Sequence, residues 1–354
     1  MAQATDQSRY KGIDAARGFA AIAVLVAHAI EIASLATFKS ISQFIHLGAG
    51  GVYLFFMISG FVIPFSLKRV KTVKDFAIGR VFRMYPLFIV SLAVSITGFM
   101  IGATPWLSPK SFVLSAVLNL TMVQEFLGFP SLRGAYWTLG YELVFYCLLG
   151  TLFALNRSSK LYKLSPTISV LLILLNLASW VTGRSLGGDR LIGFAFMFLG
   201  CAYYSYRAAE ITKRQIVMIT ALAVSSISLQ WFTSISINAN SLATLSHYPT
   251  MLVAVGGFIV ALSANDTKVS PLFVYLGTIS YSIYLVHGVV LIWLRPTGVM
   301  SNTAYFTFAL FASTVLVSAL TYRFIEQPGI KLGKRLVATR SERQVIAHDP
   351  ERLA

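Results

Sequence analysis

Six ionisable side chains stand inside or at the edges of apolar stretches, and their types point to two kinds of chemistry. His28, Glu142 and His287 are of the first kind. A histidine with a carboxylate in hydrogen-bonding range is the usual equipment for taking a proton from a hydroxyl. Arg17, Arg80 and Arg83 are of the second kind. An Arg-x-x-Arg pair on a helix projects both guanidiniums from one face, and such planar forks suit phosphate oxygens. Arg17 and His28 share one apolar stretch, DAARGFAAIAVLVAHAIE, on roughly the same side of a helix and about 16 Å apart along it. Ionisable groups in such a stretch are costly to bury, so they normally face a protein interior or a wet cavity and act there.

The elements that must position these residues are membrane helices. The chain has 354 residues, of which 56% are hydrophobic and 12% charged, with a mean hydropathy of +0.72. A soluble domain carries roughly twice that charged fraction, and apolar runs of about 20 residues recur from end to end. The net charge of +16 lies in short loops between apolar runs and in the C-terminal tail. That is the signature of cytoplasmic loops, with a minor contribution from anionic lipids, and it argues against nucleic acid as a partner. Cys147 and Cys201 lie inside apolar runs without pairing or metal-ligand spacing, and read as small buried hydrophobes. The first apolar run lacks a small-residue cleavage site and is expected to be a retained anchor.

The expected architecture is all-α and polytopic, with about ten transmembrane helices and both termini cytoplasmic. The spans fall near 14–34, 49–67, 84–104, 135–155, 165–183, 188–206, 215–232, 247–264, 272–294 and 303–325. The segment near 111–129 is broken by Asn119, Gln124 and Glu125 and is expected not to span. With that parity every basic cluster falls on one side. Residues 1–330 form the membrane domain, and 331–354 a basic cytoplasmic tail expected to be disordered beyond Leu336. Depth then follows from the helical rise: His28, Glu142 and His287 all reach the outer half of the bilayer, whereas Arg17, Arg80 and Arg83 lie near the inner face.

Each residue also has an ordinary reading. Arg80 and Arg83 are the charges any cytoplasmic boundary carries. A lone intramembrane histidine often makes only an inter-helix hydrogen bond. Asp14 and Arg17 form an i,i+3 pair, and Glu31 reaches the outer interface. Tyr281 and Tyr284 pack with satisfied hydroxyls, Ser59 and Ser280 show no nucleophile elbow, and Glu326 caps the last span. The shared depth of His28, Glu142 and His287 is what favours a site over these.

Six blocks of the chain, in order over about 310 residues, resemble the acyltransferase family 3 membrane proteins. IDAARGFAAIAVLVAH is similar to the family's opening span with its Arg-x10-His pattern, here Arg17 and His28. GGVYLFFMISGFVI resembles its second block, and FAIGRVFRMYPLF its Arg-x-x-Arg block through Arg80, Arg83 and Pro86. WTLGYELVFY is similar to the Trp-Ser/Thr-Leu-x-x-Glu block at Trp137 and Glu142, LGTISYSIYLVH to the late histidine block, and YRFIEQP to the closing Glu-x-Pro. One departure is Ala16 before Arg17, where many relatives carry leucine.

The resemblance implies a ten-span enzyme of the cell inner (plasma) membrane. It would move an acyl group, most often acetyl, from cytoplasmic acyl-CoA (acetyl-CoA above all) to a hydroxyl. The acceptor would be a saccharide of an exopolysaccharide, a lipopolysaccharide or a lipid-linked oligosaccharide, or a small lipophilic molecule such as a macrolide. By the same resemblance His28 is the catalytic histidine, and Arg17, Arg80 and Arg83 serve the donor. No metal is expected, membrane lipid surrounds the chain, and polysaccharide-synthesis machinery is a possible partner. The extra esterase-like domain fused to some relatives is not expected. Two other classes stay open on the residues alone. One is a proton-coupled transporter or flippase for a polar lipid or glycan intermediate, for which intramembrane His and Glu also suit. The other is a structural subunit of a polysaccharide-synthesis complex.

Overall fold

The computed structural model describes residues 10–33, 44–100, 109–238, 245–294 and 303–348. Helix occupies most of them, and no strand occurs among the described residues. In chain order the α-helices are α1 (Lys11–Ala33), α2 (Leu47–Lys68), α3 (Val73–Met100), α4 (Pro109–Asn119), α5 (Trp137–Ala154), α6 (Leu164–Thr182) and α7 (Asp189–Arg207). There follow α8 (Lys213–Asn238), α9 (His247–Ser263), α10 (Pro271–Thr278), α11 (Ser280–Leu294), α12 (Thr303–Thr321) and α13 (Gln327–His348). Counting α10 and α11 as one, each of the ten expected spans coincides with a helix. Seven stretches are long and apolar enough to cross a bilayer, and the α10–α11 pair, bent by 68°, makes up to eight. The remaining two are the more polar α7 and the 17-residue α9. Residue 34 of the first expected span, 101–104 of the third and 349–354 of the tail lie outside the described residues.

The expected non-spanning segment is an 11-residue helix, α4, followed by a turn and a 3-10 helix at Gln124–Leu127. Eleven residues rise only about 16 Å, half of a hydrocarbon core. Its polar residues are clamps. Asn119 Nδ2 donates to the Ser115 and Pro130 carbonyls, its Oδ1 accepts from Leu132 N, and Gln124 Nε2 donates to Ser131 Oγ at 2.7 Å. Both side chains are buried, so the atoms that break the apolar run also tie the loop to itself.

The chain divides into two compact units. The first comprises residues up to Val62 together with Leu161–Ile283. In it α1 packs along α10 at a distance that only glycine permits. A Cβ at Gly18 would meet the Phe273 carbonyl oxygen at 2.5 Å, and one at Gly277 would strike the Asp14 carbonyl. α2 and α7 approach in the same way, with Gly60 against the Met197 carbonyl and Gly200 against that of Met57. Small residues serve this purpose in membranes, where close backbone packing replaces hydrophobic association. An edge-to-face ladder of Tyr10, Phe61, Phe258 and Tyr203, with centroids 5.3–5.8 Å apart, fills the space between them.

The second unit comprises Ile63–Lys160 and the chain from Tyr284 onward. α3 starts at a reciprocal cap: Thr72 Oγ1 accepts from Asp75 N at 3.1 Å and donates to Asp75 Oδ2 at 2.7 Å. α13 lies on α3. A Cβ at Gly329 would fall 2.8 Å from both the Phe82 carbonyl and the Pro86 ring, and one at Gly333 2.7 Å from Phe82 Cβ. Arg340 Nε reaches the buried Asp75 at 3.5 Å. A π-helical turn at Tyr322–Glu326 joins α12 to α13. The tail therefore differs from the expectation of disorder beyond Leu336: it is helical through His348. Charge and scarce aromatics suggested disorder, but Lys, Arg, Leu, Ala, Gln and Glu are also strong helix formers, and contact with α3 gives the helix a surface to hold.

Candidate active site

Four of the six expected site residues belong to the second unit, joined by a run of buried polar contacts. Arg80 lies two turns into α3. Its Nη2 donates to Ser66 Oγ at 3.2 Å, and its guanidinium sits over the Phe76 and Tyr146 rings at 5.7 and 5.8 Å. Tyr146, one turn after Glu142 on α5, accepts a hydrogen bond from Arg80 and donates to Glu142 Oε2 at 3.2 Å. Glu142 in turn lies within electrostatic reach of Tyr284. The Tyr284 hydroxyl accepts from Thr138 Oγ1 at 2.9 Å, and its ring centroid is 5.9 Å from that of the buried His287. Arg83 follows Arg80 by one turn and is half-buried, close enough for the two cations to feel each other.

This arrangement alters one expectation. By depth alone Arg80, at the inner face, stands apart from Glu142, farther out, but here they share a tyrosine. α3 begins at Val73, so Arg80 already stands about 10 Å along the helix. Two long side chains span the rest. An arginine pair able to grip phosphate and a carboxyl able to orient a base are thus parts of one network.

The network continues to residues that were not expected. Arg133 is only 9% exposed; its Nε donates to Ser95 Oγ at 3.2 Å, and its Cδ lies 3.9 Å from where a Cβ on Gly288, the neighbour of His287, would stand. Ser95 and Ser91 both bond the fully buried Tyr136 hydroxyl, at 3.2 and 2.7 Å. In sequence Arg133 reads as an ordinary loop charge. Its burial depends on the clamped loop that delivers it.

Arg17 and His28 belong to the first unit. Both are half-buried on α1. His28 has two electrostatic neighbours, Glu31 one turn on and His46 just before α2. A Cβ on Gly48 would fall 3.2 Å from Ala27 Cβ and 3.6 Å from His46 Cε1, which fixes His46 against this end of α1. His46 opens a second unexpected cluster. Its ring stacks on that of His247 at 5.5 Å and 13°, and its backbone N–H donates to Thr250 Oγ1 at 2.8 Å. His247 Nδ1 shares a 2.7 Å hydrogen bond with the Tyr53 hydroxyl, and its ring stacks on Trp231 at 5.4 Å. Asp189, held by Gln230 Nε2 at 3.1 Å, completes the group. Among the described residues no three His, Cys, Asp or Glu are grouped to hold a metal ion.

A helical chain with this many membrane-length helices, and with histidine, glutamate and arginine carried inside its two units, is a multi-pass membrane protein built for more than anchorage. It belongs to the acyltransferase family 3, whose acyltransferase domain model matches residues 10–323 and so takes in all six candidate residues. Among curated proteins it is 25% identical over 322 residues to Nodulation protein 10 of Rhizobium leguminosarum bv. viciae, covering 82% of this chain and 85% of that one. It is likewise 25% identical over 306 residues to the exopolysaccharide production protein ExoZ of Rhizobium meliloti (strain 1021), covering 81% and 91%. A shorter match, 28% over 163 residues and 44% of this chain, is to the acyltransferase MdmB of Streptomyces mycarofaciens, of which it covers 42%. No solved structure matches.

Proposed function

We propose that this chain is an O-acyltransferase of the inner membrane with ten spans and cytoplasmic termini. It moves an acyl group, acetyl above all, from cytoplasmic acyl-CoA to a hydroxyl of a cell-surface or lipid-linked saccharide. The observation that carries the reading is the family match over residues 10–323. The name of the exopolysaccharide production relative supports a saccharide acceptor.

In this reading Arg80 and Arg83, with Arg17, hold the donor's phosphates. Arg80 is suited to that role because its Nε is a buried donor with no hydrogen-bond acceptor among the described residues, so an anion would satisfy it. His28 removes the acceptor hydroxyl's proton as that oxygen attacks the thioester carbonyl. The C–O bond forms, the C–S bond breaks, and the proton passes from His28 to the departing thiolate. Glu142 and His287 orient or charge-balance the proton transfer. Donor and acceptor are handled by different residues, so variants separate them. His28→Ala in purified protein given acetyl-CoA and acceptor should lose at least a hundredfold in turnover, the lower end of what a general base supplies (about 10²–10⁴). Activity near wild type would sink the assignment. Arg83→Ala should weaken acetyl-CoA more than acceptor, and the reverse would overturn its donor role. Mass spectrometry of surface glycans, with and without the gene, identifies the modified sugar.

A further inference from the structure

The largest feature that the catalytic reading leaves unused is an apolar groove of about 500 Å³ in the first unit. One wall is a stripe on α1, Gly12, Ala15, Ala16, Phe19 and Ala23, whose spacing keeps it on one helical face for about 16 Å. The facing wall is α9 from Thr250 through Ala254 and Gly257 to Ala261. Its lining is almost entirely hydrocarbon, and nearly all of it comes from membrane-length apolar helices. At one end the groove stops being apolar. Gly50 and Thr250 close it there, and Thr250 Oγ1 accepts the backbone N–H of His46, whose ring stacks on His247 and abuts α1 beside Ala27 and His28. A hydrocarbon slot that ends on two histidines, a tyrosine and a tryptophan has the profile of an amphiphile: a chain along the slot, and a head of hydroxyls at the imidazoles with a ring face for the indole.

We propose that this groove binds the hydrocarbon chain of a lipid-borne acceptor and that His46 and His247 receive its hydroxylated head. The inference rests on the reading of the chain as a hydroxyl acylator. It deepens that reading by making the acceptor an amphiphile drawn from the bilayer rather than a free saccharide.

Two adjacent glycines make the test clean. A Cβ on either Gly256 or Gly257 meets nothing within 4 Å, but only Gly257 lines the groove. Gly257→Leu therefore fills the slot without disturbing the fold, and Gly256→Leu is its matched control. The probe is a palmityl glucoside with a diazirine in its chain, photolysed with the full-length protein in phosphatidylcholine nanodiscs and mapped by mass spectrometry. Labelling should concentrate on peptides spanning Ala15–Ala23 and Thr250–Ala261 and should compete with unlabelled alkyl glucoside. It should fall about tenfold in Gly257→Leu, equivalent to about 1.4 kcal/mol, and be unchanged in Gly256→Leu. His46→Ala should erase the preference for the glucoside over the same chain ending in a methyl ether. Even labelling of every lipid-facing helix, unaffected by Gly257→Leu, would overturn the inference in favour of ordinary bilayer contact. Equal groove labelling by the methyl ether in wild type would overturn it in favour of a structural lipid. Labelling needs no donor, so the two readings fail separately. A groove labelled as described in a protein that transfers no acyl group refutes the enzymatic reading, and acyl transfer without groove labelling refutes the groove.

Discussion

Replacing Tyr146 by phenylalanine removes one oxygen from the middle of the second unit's polar network and leaves the ring in place. The ring keeps its edge-on contact with Phe76 at 6.2 Å and its position under the Arg80 guanidinium at 5.8 Å. What disappears is the hydroxyl that accepts from Arg80 and donates to Glu142 at 3.2 Å. Hydrogen bonds to charged groups contribute about 1.5–3 kcal/mol each. At 3.2 Å the bond to Glu142 lies beyond the favoured O–H···O range, so the low end, about 1.5 kcal/mol, is the right expectation. If that hydroxyl holds Arg80 in its phosphate-gripping pose, Tyr146→Phe should raise the acetyl-CoA KM about tenfold, with a smaller change in kcat. The assay is thiol release from acetyl-CoA by purified protein at saturating acceptor, with thermal unfolding measured alongside. Glu142→Gln extends it to a double-mutant cycle, in which residues of one network should show a coupling of about 0.5–3 kcal/mol. The reasoning is refuted if the two substitutions add independently, or if Tyr146→Phe leaves KM unchanged while Arg80→Ala raises it.

Two further outcomes test the packing that holds these residues. Gly200→Val should abolish recovery of folded protein by size-exclusion chromatography, because its Cβ would enter the Met57 carbonyl, whereas Gly256→Ala should be neutral. Asp75→Ala should lower stability by about 1–2 kcal/mol, since it removes the partner of the Thr72 hydroxyl at the start of α3. Arg340→Ala should cost under about 1 kcal/mol, because its 3.5 Å pair with Asp75 is partly solvated. Denaturant titration of the two variants ranks them, and a larger loss for Arg340→Ala would show that the ion pair dominates the cap.

The parts of this protein that sequence reveals are those in which a polar atom contradicts its surroundings. His28 and Glu142 stand out because apolar residues flank them, and Asn119 and Gln124 because they interrupt a run that would otherwise span. Residues at the ends of apolar segments lack that contrast. His46, His247 and Asp189 each begin a helix or sit just before one, where polar side chains are ordinary. Their significance lies in meetings between residues some 200 positions apart, 204 for His46 with Thr250 and 194 for Tyr53 with His247. Arg133 is hidden for a related reason, since nothing local distinguishes a buried loop arginine from a solvated one. Depth along a span aligns His28 with Glu142 but is too coarse to foresee Arg80 touching the same tyrosine as Glu142. An error of two helical turns is smaller than the combined reach of arginine and tyrosine.

The π turn at Tyr322–Glu326 has a bearing on the tail that follows it. A π turn closes its hydrogen bonds one residue later than an α turn and so contributes one extra position to the helix. One residue of an α-helix corresponds to about 100° of rotation. The turn therefore acts as a phase shifter between α12 and α13. It resets the azimuth at which Gly329, Gly333 and Arg340 emerge, and at the azimuth it sets, the glycines face Phe82 and Pro86 and Arg340 faces Asp75. Lys331, Lys334 and Arg335, which point away from that contact, have their bearing around the helix axis fixed by the same turn. The compass direction of the tail's positive charge is thus decided by five residues, Tyr322 to Glu326, that carry only one of the cations, Arg323.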